Sequence, residues 1–164
     1  MNIFRPDYLV DDIFSLPLTA LKEKNITNIL FDVDNTIVPY NSHDLSEEAI
    51  CWFHETTAKG FHLCLLSNNS AQRVAPVAAR LGIDFVGRAK KPLQNGAKRA
   101  MELFGAPKEQ IALVGDQLLT DTACGNIAGF TTIVVKPLNP NELWITKWHR
   151  NYEKILYRLM GIKR

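Results

Sequence analysis

The sequence predicts an α/β protein whose parallel sheet is covered by helices on both faces. Two observations carry this. Short apolar, β-branched runs alternate with longer segments of helical character, the pattern of repeated strand–helix units. Glycines close most of the helical segments, and the strand runs end on acids, hydroxyls or glycine, as buried strands do where they reach solvent. Taken in order, Ile26 to Phe31 (ITNILF) reads as the first strand and ends at Asp32. Asp44 followed by Glu47 resembles a helix capping box, and a helix is expected from about Ser46 to Lys59, stopped by Gly60. Phe61 to Leu66 is the next strand, and the alanine-rich stretch Ser70 to Leu81 is a helix ended by Gly82. Asp84 to Val86 is a brief strand. Leu93 to Phe104 is a helix with Gly105 at its end. Ile111 to Val114 is a strand that breaks at Gly115-Asp116; Asp121 to Ala128 is helical, and Thr132 to Val135 is the last strand.

Composition bounds the answer without choosing a function. The chain has 164 residues, 46% hydrophobic and 22% charged, which suits one domain spanning 1–164 with a real core. A net charge of +2 gives no reason to expect a nucleic-acid partner. Cys51, Cys64 and Cys124 form no CxxC pair, so free buried thiols are expected, with neither a zinc site nor a disulfide framework. Met1 to Tyr8 carries no apolar run that reads as a signal peptide, and no stretch approaches the roughly 20 apolar residues that cross a bilayer. A cytoplasmic protein is expected, with contact at the inner face of a membrane left open.

In an open parallel sheet the ligand site lies beyond the carboxyl ends of the strands. There the chain places Asp32-Val33-Asp34-Asn35-Thr36, then Ser67-Asn68-Asn69, then Lys90-Lys91-Pro92, then Gly115-Asp116 with Asp121 further on. These residue types fit phosphoryl transfer. A carboxylate attacks phosphorus and splits one hard step into two. A second acid protonates the leaving alcohol and then activates water. A divalent cation held by carboxylates offsets the charge of an anionic substrate, and a lysine and a hydroxyl hold its oxygens.

Asp32-x-Asp34-x-Thr36, Ser67, Lys91-Pro92 and Gly115-Asp116-xxxx-Asp121 resemble the four motifs of the haloacid dehalogenase (HAD) superfamily, in family order and spacing, over about residues 26 to 136. The runs FDVDNTIVPYN, LLSNNS, GDQLLTD and GNIAGFTTIVV resemble a branch related to phosphatidylglycerophosphate phosphatases. The resemblance implies a Rossmann-like three-layer fold with the Asp32 strand central in the sheet. It implies Asp32 as nucleophile, Asp34 as general acid and base, and Ser67, Asn68 and Lys91 as ligands of the phosphoryl group. It implies Mg²⁺ on the Asp32 carboxylate, the Asp34 backbone carbonyl and Asp116, with Asp121 and Thr36 just behind. Lys90 competes with Lys91 as phosphate ligand; the family lysine immediately precedes the proline, which favours Lys91. The implied reaction is hydrolysis of a phosphomonoester, phosphatidylglycerophosphate first and a soluble nucleotide or sugar phosphate second. A receiver-like signalling or silent phosphate-binding module is the alternative class. It is disfavoured because receivers carry the phosphoacceptor on a middle strand, whereas here the Asp-x-Asp unit follows the first.

Other polar residues carry blander readings. His54 and His62 read as structural, and His43 sits in the loop after Asp32, where substrate contact is open. Arg73 and Arg88 read as solvated surface in preference to anion ligands, and Trp52, Phe53 and Phe61 as core. Between Thr36 and Ser67 the spacing allows a flap, a helix and a strand at average lengths, with no inserted cap domain. An open site suits a phosphate presented by a lipid or a macromolecule, or one lidded by a second subunit in a homo-oligomer.

The last segment, 141–164, reads as a basic amphipathic helix. Trp144, Trp148, Tyr152, Ile155, Leu156 and Leu159 are expected on one face, and Lys147, Arg150, Asn151, Lys154 and Arg158 on the other. Six Lys and Arg against two Glu give this segment +4, so the remainder of the chain carries −2. Packing on the domain or a second subunit, and lying on an anionic membrane, are both compatible with that pattern.

Overall fold

The computed structural model describes residues 3–40, 42–139, 155–158 and 161. Six strands form one parallel sheet: β1 (Tyr8–Leu9), β2 (Asn28–Phe31), β3 (His62–Leu66), β4 (Asp84–Val86), β5 (Ile111–Gly115) and β6 (Thr131–Val134). Their order across the sheet is β1-β6-β5-β2-β3-β4. Helices α1 (Leu18–Glu23), α2 (Glu47–Ala58), α3 (Ala71–Leu81), α4 (Asn95–Phe104) and α5 (Ala123–Ala128) complete the described fold. From β2 the chain moves to β3 and β4 on one side, then returns to β5 and β6 on the other. The order therefore reverses between β2 and β5, which opens a crevice at their carboxyl ends.

Alternation along the strands divides the core. Ile29 and Phe31 of β2 face the layer that holds Phe53 of α2 and Val77 and Leu81 of α3. Leu30 faces the opposite layer, with Ala97 and Ala100 of α4 and Cys124 of α5. Phe31 lies 4.9 Å from Phe53, centroid to centroid, and meets the edge of Trp52 at 6.1 Å. Phe53 and Phe61 are core as expected, and Trp52 packs against it partly buried. Gly82 ends α3 in the left-handed conformation, φ 66°, which a glycine adopts without strain.

The local differences from expectation have identifiable causes. Ser46, not Asp44, caps α2, accepting from the Ala49 N–H at 3.1 Å. Asp44 is engaged instead with Ser42, whose hydroxyl donates to it at 2.8 Å. α4 starts at Asn95 because a turn around Lys91-Pro92, closed by Leu93 N–H to the Lys90 carbonyl at 2.8 Å, takes up the expected first residues. β1 and α1 carry no period long enough to be read from sequence. Cys64 and Cys124 are buried and free, while Cys51 is exposed.

Of the terminal segment 141–164, only 155–158, which are helical, and 161 are described. Within them Tyr157 is buried against Leu118 and Val134, with Leu156 packed beside it. Ile155, expected on the apolar face, is 53% exposed. The remaining expectations for 141–164, including the placement of Trp144 and Trp148, lie outside the described residues. No helix among the described residues is long and apolar enough to cross a membrane.

Candidate active site

Register brings the expected residues together. Phe31 pairs with Val114 and with Leu65, so Asp32 leaves β2 beside Gly115-Asp116 on one side and close to Ser67 on the other. The Asp32 N–H donates to the Val114 carbonyl at 2.8 Å, which extends the ladder to the crevice edge. A cleft of about 150 Å³ opens there, lined by Asp32, Asp34, Ser67, Asn68, Lys91 and Asp121 among others.

Lys91 is the ionic centre of the cleft. Its Nζ donates to Asp32 Oδ1 at 2.6 Å and lies 2.6 Å from Asp121 Oδ1. Its side chain is almost fully buried, whereas Lys90 is exposed. Burial works against the ammonium, but Asp121 and then Asp32 hold it above the ordinary lysine range. Burial pushes the Asp32 carboxyl up to about 7, opposed by Lys91 and reinforced by Asp121. Carboxylate oxygens of Asp32, Asp116 and Asp121 all lie within 4.8 Å of one another. Lys91 pairs with two of the three, Asp32 and Asp121, and the trio offers only hard oxygen donors, a set that fits Mg²⁺ better than a softer metal.

Each acid is placed by its neighbours. Asp121 sits on a widened turn, Leu118–Thr122, in which the Thr122 N–H reaches back five residues to the Gln117 carbonyl at 3.2 Å. The Gln117 N–H in turn donates to Asp121 Oδ2 at 3.2 Å. Gly115 is what lets Asp121 approach: a Cβ there would stand 2.3 Å from Asp121 Cγ. Gly115→Ala is therefore expected to cut kcat/KM by on the order of 100-fold while the protein still folds, since a misplaced catalytic group of about 1 Å costs that much. Steady-state kinetics beside a thermal melt check it.

Asp34 is not part of the acidic trio. Its Oδ1 accepts from Arg73 Nη2 and its Oδ2 from Asn69 Nδ2, both at 2.6 Å. Asn68 joins two site loops: its side chain accepts from the Lys91 N–H at 2.6 Å and donates to the Lys91 carbonyl at 3.1 Å. Ser67 is buried at the cleft wall, and its Oγ accepts from the Asn69 N–H at 3.2 Å. Thr36 is also buried, with no partner for its hydroxyl among the described residues. Burial pushes the Cys64 thiol up to about 12 and the Cys124 thiol up to about 11, so neither supplies a thiolate nucleophile.

Asn35, Tyr40, Asn69, Gln117 and Thr120 also line the cleft. Sequence reasoning placed Asn35 and Asn69 at the strand ends without giving them a role, and it missed Tyr40, Gln117 and Thr120. Gln117 stands next to Asp116, a signal that was present. Arg73 is not the solvated side chain expected of it; it reaches Asp34 across 39 positions of sequence. His43 and Arg88 are exposed and are not among the cleft's lining residues.

Comparison with known proteins gives the family. A HAD-hydrolase-like family model matches residues 88–139. The chain is 36% identical over 163 residues to YqeG of Bacillus subtilis (strain 168), a probable phosphatase, covering 99% of this chain and 94% of that one. The chain therefore belongs to the HAD-like phosphatase family. It is also 29% identical over 167 residues to the chloroplastic phosphatidylglycerophosphate phosphatase 1 of Chlamydomonas reinhardtii, covering 87% of this chain and 61% of that protein. Among solved structures, the HAD-hydrolase YfnB of Bacillus subtilis bound to magnesium matches with a TM-score of 0.57 at 15% identity, over 72% of this chain and 92% of that one. The cobalt-bound deoxy-D-mannose-octulosonate 8-phosphate phosphatase of Haemophilus influenzae matches with a TM-score of 0.54 at 20% identity, over 68% and 69%. At those identities the likeness is one of fold.

Proposed function

We propose that this phosphatase hydrolyses phosphomonoesters through a phosphorylated Asp32. The observation that carries the proposal is the position of Lys91 Nζ, 2.6 Å from both Asp32 and Asp121, in a cleft that also holds Ser67. An Asp32 oxygen attacks phosphorus as the bond from phosphorus to the ester oxygen breaks, and Asp34 gives the departing alcohol its proton. Water then attacks the same phosphorus and returns a proton to Asp34, the Asp32–phosphorus bond breaks, and inorganic phosphate leaves. Lys91, the Ser67 hydroxyl and the backbone at Asn68 hold the phosphoryl oxygens. Asp32, Asp116 and the Asp34 backbone carbonyl, with Asp121 alongside, would hold Mg²⁺, which when bound supplies Lewis acidity and offsets the acidic trio.

Excess chelator is expected to abolish turnover of an aryl phosphate, and added Mg²⁺ to restore it. Full activity at a metal content confirmed near zero would contradict the metal's part in this reading.

For substrate we favour phosphatidylglycerophosphate. The resemblance to phosphatases of that lipid supports it, as does an exposed Tyr40 at the cleft, an amphipathic side chain suited to a lipid headgroup. A panel of lipid and soluble phosphates decides this: the lipid should give the highest kcat/KM, and a soluble sugar or nucleotide phosphate ahead of it would reverse the choice.

A further inference from the structure

We infer that Arg73 and Asn69 form a clamp that positions Asp34 for proton transfer, and that Arg73 is a positioning residue rather than a ligand of the substrate. The inference rests on the reading of Asp34 as the acid and base. Arg73 lies in the first turn of α3, where a cation opposes the helix dipole and gains nothing from the helix itself. Its reward is tertiary. Its side chain is 13% exposed and Nη2 donates to Asp34 Oδ1 at 2.6 Å, while Nη1 is buried with no hydrogen-bond partner among the described residues. Arg73 is not among the residues that line the cleft, whereas Asp34 and Asn69 are. The guanidinium thus holds the carboxylate without itself lining the cleft. Asn69 holds the second oxygen at 2.6 Å from the loop after β3. Two donors from adjoining elements therefore fix both the direction and the rotation of one carboxylate.

Asp34 itself follows β2 on a tight loop, with Asn35 in the left-handed conformation at φ 63° and the Asn35 N–H donating to the Val38 carbonyl at 2.7 Å. That loop sets the backbone, but a side chain on it keeps its rotational freedom. The clamp removes that freedom, and proton transfer requires it removed, because acid catalysis depends on hydrogen-bond reach to the ester oxygen.

The test uses leaving groups. An alkoxide departs only with a proton, whereas nitrophenolate departs without one. Arg73→Met and Asn69→Ala are each expected to lower kcat on an alkyl phosphate such as glycerol phosphate by roughly tenfold or more, out of the 10²–10⁴-fold that acid–base catalysis supplies. The pre-steady-state burst of nitrophenol from p-nitrophenyl phosphate should stay within about threefold of the parent, because that first step needs no proton donor, while the steady-state KM stays level or falls as the second step slows. Arg73→Lys, which keeps a charged donor, should recover part of the alkyl-phosphate rate. Asn69 is exposed, so its variant stays informative if loss of Arg73 impairs folding. An equal fall on both substrates would reduce the clamp to general structural support. A raised KM at unchanged kcat would make Arg73 a substrate ligand, and no change at all would remove its role; each overturns the inference. Asp34→Asn, measured in parallel, separates the two levels. If it shows no alkyl-selective loss, the assignment of Asp34 falls and the clamp with it. If it shows that loss and the clamp variants do not, the clamp alone is wrong.

Discussion

Asp32→Asn is expected to abolish turnover, by on the order of 10⁴-fold or more, because an amide cannot form an acyl phosphate and no neighbouring group replaces it. The substitution is nearly isosteric. Asp32 follows the last residue of β2, and its backbone N–H stays bonded to the Val114 carbonyl whatever the side chain. Burial, opposed by Lys91 and reinforced by Asp121, already pushes its carboxyl up to about 7, and an amide oxygen still accepts from Lys91 Nζ, so a neutral amide is no burden on the fold. The variant should therefore melt no lower than the parent in the absence of metal. Turnover measured together with a thermal melt separates a lost nucleophile from a lost structure. Parent-like turnover by pure Asp32→Asn protein would end the nucleophile assignment.

Lys91→Met is the second large effect. The ammonium is the positive charge placed between Asp32 and Asp121, and its side chain is 2% exposed. Methionine keeps much of the stem's volume and removes the charge. Two consequences follow. Losing one donor aimed at the phosphoryl oxygens costs roughly 10²–10³-fold in kcat. Leaving two buried carboxylates without their counter-ion destabilises the fold by about 3–5 kcal/mol. A cation bound by the acids replaces part of the missing charge, so Mg²⁺ should raise the melting temperature of Lys91→Met more than that of the parent. Differential scanning fluorimetry with and without Mg²⁺ reads this directly; equal Mg²⁺ shifts in both proteins would show that Lys91 and the cation do not share the same acids. Lys90→Met should be nearly silent, because Lys90 is exposed.

The sheet was legible because its central strands are buried on both faces and read as unbroken apolar runs, as in Asn28–Phe31 and Ile111–Gly115. The site was legible for the same reason: parallel topology brings strand ends to one edge, so Asp32, Ser67, Asp116 and Lys91 could be expected together before their distances were known. What escaped had no periodic signal. Two-residue β1 is held by pairing with β6, a contact 125 positions away in sequence between Tyr8 and Ile133. Arg73 looked like a helix surface residue, and its partner Asp34 lies 39 positions away in sequence, beyond the reach of any local pattern. Tyr157 was assigned to neither face of its helix, yet among the described residues of that segment it is the buried one, meeting Leu118 and Val134 at the turn that carries Asp121.

The chemistry at Asp32 has one most direct measurement. Asp34→Asn protein with Mg²⁺ is mixed with p-nitrophenyl phosphate, quenched in acid during the nitrophenol burst, and mapped by peptide mass spectrometry. The first step needs no proton for this leaving group, while the second lacks its base, so the phosphorylated enzyme should accumulate. The account predicts a phosphoryl group on the peptide containing Asp32, at the stoichiometry of the burst. A burst of nitrophenol with the phosphoryl group on a different residue, or with no phosphorylated peptide, would contradict it.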